Sequence, residues 1–186
     1  MKESIVVVSD THGSLTAWKK AEGLMSRSKL VIHAGDVLYH GARNPLPDGY
    51  NTTGLIEEIN KFKGSLMMVK GNVDSLVDEW VLPYPLPEYV LVEINGLRLV
   101  VYHGYQHNNE KDRIKFARRF KADILIYGHT HIPEIKNRED IILLNPGSMS
   151  LPKQKPAIPS VAVIKDNSIE IIDLDSLEIV KEMTLK

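Results

Sequence analysis

Apolar positions in this chain fall into short unbroken runs, separated by longer stretches with a helical period. The runs are Ile5-Val6-Val7-Val8, Leu30-Val31-Ile32, Leu66-Met67-Met68-Val69, Leu99-Val100-Val101-Tyr102 and Ile124-Leu125-Ile126-Tyr127. Runs of this length read as strands buried on both faces. Between the first three, the pattern predicts helices over about Leu15 to Ser26 and Thr53 to Phe62, with Ser14 and Thr52 as N-caps. Strand, helix, strand, helix, strand predicts parallel pairing in this half. The segment Leu38 to Asn51, rich in Gly, Pro, Asn and Asp, predicts a loop.

The second half changes character. Tyr89 to Ile94 alternates apolar and polar residues, and so does the run after Asn95-Gly96. Asn-Gly between alternating runs is the strongest short-range hairpin signal. A helix over about Lys111 to Phe120 leads to the Ile124 strand. Strands follow near Ile141 to Leu144, Ser160 to Ile164, Ser168 to Asp173 and Glu178 to Thr184, with a second hairpin turn at Asp166-Asn167. The stretch Pro83-Tyr84-Pro85-Leu86-Pro87 reads as a connector between the halves. With no repeat, low-complexity tract or linker, the expectation is one domain over residues 1–186. A parallel half and a hairpin-rich half predict an α/β fold: two sheets packed face to face, with helices on both outer faces.

Composition narrows the function. A chain of 186 residues suffices for a real core. The formal charge of −1, with acids and bases interspersed, argues against a nucleic-acid partner. The absence of cysteine excludes disulfides, thiolate metal sites and a cysteine nucleophile. No stretch approaches the roughly 18 apolar residues of a membrane span. The first apolar run stops at Ser9-Asp10 and does not read as a signal peptide. The expectation is a cytoplasmic protein with no membrane partner.

The candidate chemistry lies at the ends of the runs. After the five runs come Asp10 and His12, then Asp36, then Asn72, then His103, then His129 and His131. In open α/β sheets, ligands sit just outside the carboxyl ends of strands. Seven oxygen and nitrogen donors should therefore meet on one rim. That is too many for one ion and suits two, and a two-metal site points to phosphate-ester hydrolysis. Asp10-Thr11-His12 places two ligands two apart, on one side of an extended backbone, and Gly13 allows an immediate turn. Gly128-His129-Thr130-His131 is the most specific element, because paired histidines after a buried strand have few structural reasons to be there. Gly35-Asp36 and Gly71-Asn72 are ordinary turn signals taken alone. His33 lies inside a strand and reads as a core residue, whereas His40 and His107 fall in loops.

Together these blocks (D-x-H, G-D, G-N, H-G and G-H-x-H, in this order) resemble the calcineurin-like metallophosphoesterase superfamily. More narrowly, Gly35-Asp36-Val37-Leu38, the loop His40 to Asn44, Leu46-Pro47-x-Gly49-Tyr50 and Asn145-Pro146-Gly147-Ser148 resemble its small bacterial phosphodiesterases. The resemblance implies an α/β/β/α sandwich and a metal-dependent phosphodiesterase. It implies Asp10, His12 and His131 on a first ion, Asn72, His103 and His129 on a second, and Asp36 as the bridge, with Asp36 and Asn72 at the catalytic centre. The nucleophile would be a water or hydroxide shared by the ions, attacking a small phosphoester in line. Nitrogen and oxygen ligands suit manganese first, and also iron, cobalt, nickel or zinc.

Many members of that superfamily place a histidine after the G-N pair, taken as the leaving-group acid. Here that position is Val73, which cannot donate a proton, so good leaving groups are expected. Arg43 and Asn44 are candidates to bind substrate, with Arg pairing to phosphate oxygens. The alternatives for their loop are a contact with a second subunit, which would make a homo-oligomer, or plain exposure to solvent. Two other functions compete. A catalytically silent scaffold of this fold is disfavoured by the complete donor set, and a nuclease by the near-neutral charge.

Overall fold

The computed structural model describes residues 4–185, so the ends of the domain expected over residues 1–186 lie outside it. In chain order the elements are β1 (Ile5–Val8), α1 (Leu15–Met25), β2 (Leu30–His33), α2 (Thr52–Lys61), β3 (Leu66–Met68), α3 (Leu76–Glu79) and β4 (Tyr89–Ile94). Then come β5 (Leu97–Tyr102), α4 (Glu110–Arg119), β6 (Ile124–Ile126), β7 (Glu134–Arg138), β8 (Ile141–Asn145), β9 (Ser160–Ile164), β10 (Ser168–Asp173) and β11 (Ile179–Thr184). One sheet has the order β11-β10-β9-β1-β2-β3, the other β4-β5-β6-β8-β7. As expected, β1, β2 and β3 are parallel neighbours. The unbroken apolar runs are explained by burial on both faces. In β1, Ile5 and Val7 enter the core between the sheets with Leu99, Val101, Ile124 and Ile126. Val6 and Val8 pack outward on Trp18, Ala21, Met25, Leu55 and Ile59 of α1 and α2. Val100, Leu125 and Leu143 of the second sheet pack outward on Ile114 and Ala117 of α4. The helices therefore cover both outer faces.

The sheets do not follow the two halves of the chain. β9, β10 and β11 return to the first sheet, with β9 antiparallel to β1. The connector secured by the Tyr84 hydroxyl, which donates to the Leu66 carbonyl at 2.6 Å, leads from the first sheet into the second. The Asn95-Gly96 hairpin forms with positive φ at both residues, 52° and 76°, which matches the twist of its strands. Helix α2 is capped one residue earlier than expected. Asn51, not Thr52, accepts from the Gly54 N–H at 2.9 Å, and Thr52 is the first helical residue. Two elements were not anticipated. β7 is an edge strand whose Ile135 alone is apolar, so it carries no clean alternation. α3 is a single turn, too short to show a period. Among the described residues, no helix is long and apolar enough to cross a membrane.

Candidate metal centre

The residues past the carboxyl ends of β1, β2, β3, β5 and β6 stay tied together after the strands end. The Asp10 N–H donates to the Gly35 carbonyl and the His12 N–H to the Asp36 carbonyl, both at 3.0 Å. The Gly128 N–H donates to the His103 carbonyl at 2.8 Å. Between the sheets, the His129 N–H donates to Asp10 Oδ2 at 3.2 Å. His103 Nδ1 lies 2.7 Å from the Ala34 carbonyl. Two donor groups result, Asp10 with His12 and His131, and Asp10 with Asp36 and His103, all buried. Asp10, assigned from the resemblance to the first ion alone, thus belongs to both groups. Asp36 Oδ2 also lies between them, 3.2 Å from His103 Nε2 and 3.7 Å from His12 Nε2. His129 packs on His103 with ring centroids 5.3 Å apart. Asn72 is exposed and lines the cleft above the cluster.

The backbone route to this convergence differs from the extended geometry expected of Asp10-x-His12. Asp10 and His12 have φ of 54° and 47°, and Asp36, His129 and His131 have 59°, 64° and 59°. Left-handed backbone at non-glycine residues costs energy and concentrates at functional sites. Here it folds each strand end back so that its side chain turns into the cluster. Glycines supply the room. A Cβ on Gly71 would lie 2.0 Å from Asp36 Oδ1, and one on Gly128 would lie 2.7 Å from Asp10 Oδ2.

Second contacts fix which atoms face inward. Nδ1 of His12, His103 and His131 lies 2.8, 2.7 and 2.6 Å from the carbonyls of Tyr39, Ala34 and Leu151. A carbonyl only accepts, so each Nδ1 carries hydrogen and each neutral ring presents a bare Nε2 lone pair. His12 Nε2 and His131 Nε2 face each other at 3.2 Å. Two lone pairs at that distance require a cation or a proton between them. Asp10 Oδ1 and His103 Nε2 are buried without a hydrogen-bond partner among the described residues. The outer oxygens are occupied. Ser9 Oγ donates to Asp10 Oδ2 at 2.6 Å and the Val73 N–H to Asp36 Oδ1 at 3.1 Å. This donor set fits divalent cations held by oxygen and imidazole nitrogen.

The electrostatics agree. Burial alone would raise the Asp10 carboxyl, but His12, His131 and His103 hold it well below the usual carboxylate range. Burial likewise opposes ionisation of Asp36, and His103 outweighs it and lowers the group. Burial disfavours a proton on His103, yet Asp36 and Asp10 raise it to about 9. Burial and the neighbouring His103 lower His129, which favours its neutral, ligating form. Carboxylates that draw protons onto imidazoles would equally draw a metal cation in their place.

The other sequence candidates divide. Arg43 and Asn44 line a cleft of about 440 Å³ over the cluster, with Asp36, Asn72, Val73, His129, His131 and Lys153. Asn44 spends its amide N–H on the His40 carbonyl at 2.8 Å. His40 packs between Tyr39 and Tyr50, and His107 packs on Tyr102 and Phe116. Neither lines the cleft. His33 is a buried core residue, its Nε2 2.7 Å from Thr11 Oγ1 and its Nδ1 accepting from the Gly35 N–H. Two supports escaped the sequence. Asp74 is buried, accepts from the N–H groups of Asp36, Gly71 and Val37 at 2.7–2.8 Å, and so fixes the loop that carries Asp36. Burial and the Asp36 charge push it up to about 6. Ser148 Oγ donates to the Asp10 carbonyl at 2.8 Å and holds the loop behind His131. An aspartate two residues after Asn72 and a serine after Pro-Gly carry no periodic signal that would reveal either contact.

Residues 4–168 match the calcineurin-like phosphoesterase superfamily domain. The chain is 34% identical to the phosphodiesterase YfcE of Escherichia coli K12 over 187 aligned positions, covering 97% of each chain. The solved structure described as YfcE, a phosphoesterase from E. coli, superposes with a TM-score of 0.85 at 30% identity, covering 98% of this chain and 100% of that one. Vacuolar protein sorting 29 from Cryptosporidium parvum shares the fold, with a TM-score of 0.72 at 19% identity and 99% coverage of both chains. On these likenesses the chain belongs to the calcineurin-like phosphoesterase superfamily.

Proposed function

We propose that this phosphoesterase is a phosphodiesterase dependent on two divalent cations, acting on a small phosphoester. The observation that carries the reading is the set of three buried imidazoles with Nδ1 spent on carbonyls and Nε2 turned toward Asp10 and Asp36. Asp10, His12 and His131 would hold one ion, and Asn72, His103 and His129 the other. Asp36 would bridge them, with Asp36 and Asn72 nearest the reacting atoms. Manganese heads the candidates, ahead of iron, cobalt, nickel and zinc. Such ions, when bound, supply an activated water and positive charge against the phosphoryl oxygens. The chain's own part is orientation. Asp74 and the Val73 N–H hold Asp36 in place, and Arg43 and Asn44 would receive the substrate at the cleft.

Val73 lines the cleft beside Asn72 and offers no proton for the leaving oxygen. General acid assistance is worth about 10²–10⁴-fold. The protein should therefore favour aryl phosphodiesters over alkyl monoesters. The intact donor set supports this reading over a silent scaffold, although the fold is shared with vacuolar protein sorting 29.

The test is direct. Exhaustive chelation should abolish hydrolysis of bis(p-nitrophenyl) phosphate, and manganese should restore it. Asp36→Ala should lose both ions by metal analysis and His12→Ala mainly one. Full activity in metal-free protein, or loss of one and the same ion in both variants, would contradict the proposal.

A further inference from the structure

The cleft carries more positive charge than a simple phosphodiester needs. This surplus follows if the site holds the two cations proposed above. Two divalent ions with the carboxylates of Asp10 and Asp36 leave two positive charges. A phosphodiester monoanion and an attacking hydroxide neutralise them, and the buried Asp74 carboxylate behind Asp36 offsets one further positive charge. Arg43 and Lys153 line the same cleft, and one of their two positive charges is then in surplus. Asp36, already committed to the cluster, is the one carboxylate among the lining residues. Neither Arg43 nor Lys153 has an ion-pair partner among the described residues. Lys70, the neighbour of Gly71, is by contrast neutralised by Glu79 at 2.8 Å.

Both cations sit on loops anchored to the cluster. The Arg43 loop follows Asp36 and closes on itself. Asn44 donates its N–H to the Gly41 carbonyl at 3.0 Å and its Nδ2 to the His40 carbonyl at 2.8 Å. The Lys153 N–H donates to the His131 carbonyl at 3.2 Å. Two residues earlier, the Leu151 carbonyl takes the His131 Nδ1 hydrogen. Ser148 Oγ pins the Leu151 N–H at 2.8 Å and is itself bonded to the Asp10 carbonyl. The Lys153 segment is thus tied to His131, and the Arg43 loop is tied to His12 through the Tyr39 carbonyl, 2.8 Å from His12 Nδ1. From two loops, two cations without ion-pair partners among the described residues therefore face one cleft, with one more positive charge than its centre takes up.

We infer that Lys153, with Arg43, binds a second anionic group on the substrate, so that the preferred substrate is a phosphodiester bearing a further phosphate or carboxylate. Lys153 is a specificity residue in this scheme, and the effect appears in KM rather than kcat.

Two matched substrates test it. Thymidine 5′-(4-nitrophenyl phosphate) and its 3′-phosphorylated counterpart share the scissile bond and the leaving group. With manganese at low salt, wild type should favour the 3′-phosphorylated substrate in kcat/KM by roughly tenfold, the size of one charge-assisted contact. The preference should shrink as salt rises. Lys153→Met should carry the ratio toward one, and Lys153→Arg should retain it. Equilibrium binding needs no turnover and should agree. Thymidine 3′,5′-bisphosphate should bind wild type more tightly than thymidine 5′-monophosphate, and Lys153→Met should remove the difference. Hydrolysis of both substrates with a ratio near one in wild type would overturn the inference and leave the phosphodiesterase reading standing. A wild-type ratio that Lys153→Met leaves unchanged would overturn the role of Lys153. Hydrolysis of neither substrate would overturn both readings.

Discussion

His33 shows how much one buried side chain decides. It lies within the apolar run of β2, fully buried, with its Nε2 2.7 Å from Thr11 Oγ1 of the D-x-H segment. Burial lowers its pKa from 6.5 to about 4. Between those values the unfolded chain binds a proton that the folded chain refuses, so stability from this group falls as pH drops through the window. The difference corresponds to about 3 kcal/mol. Asp74 works in the opposite direction, because its carboxyl is raised to about 6 when folded and gains a proton more readily there. Comparison with His33→Asn separates the two. In metal-free protein the variant should be less stable than wild type at pH 7.5, and the gap should close by about 3 kcal/mol toward pH 4. Urea unfolding at four pH values in that range measures it. A pH-independent gap would show that the imidazole is not held neutral.

At the scale of elements, the site depends on what happens in the few residues after each strand. β1 and β2 are followed within a few residues by left-handed Asp10, His12 and Asp36. β3 is instead followed by Gly71, whose bare Cα lets the chain pass against the Asp36 loop. Both loops hang on Asp74, which takes the N–H groups of Asp36 and Gly71 on one oxygen. A methyl at Gly71 would meet Asp36 backbone N at 2.2 Å as well as its carboxylate. Backbone cannot swing aside as a flexible side chain can. Gly71→Ala should therefore cost about 1–3 kcal/mol from overpacking. It should also lower metal content, because Asp36 must move. Denaturant unfolding and metal analysis of one preparation test both effects. Normal metal content in a normally stable variant would show that the β3 loop yields freely.

For the whole molecule, the cluster works as a clasp between the sheets. Asp10, His12, Asp36 and Asn72 follow strands of the first sheet, and His103, His129 and His131 follow strands of the second. A ligand bound only by the folded state stabilises it by about 2.7 kcal/mol at a hundred times its Kd. For a chain of this length that is roughly 5–10 °C in Tm. Calorimetry of chelated protein titrated with manganese should show Tm rising with the logarithm of free metal past saturation. An unchanged Tm would mean that the donors hold no ion. The sequence alone determined the buried strands of the βα units, because burial on both faces writes an unbroken apolar run, but it left the edge strand β7 unmarked. It also marked the candidate donors, because each follows such a run within a few residues. Only tertiary structure decided the return of β9, β10 and β11 to the first sheet, since pairing partners leave no mark on local periodicity. The same holds for the membership of Asp10 in both donor groups, the support from Asp74 and Ser148, and the cleft shared by Arg43 and Lys153. Those depend on distances between residues far apart in the chain, which close only when two sheets from different segments are packed face to face.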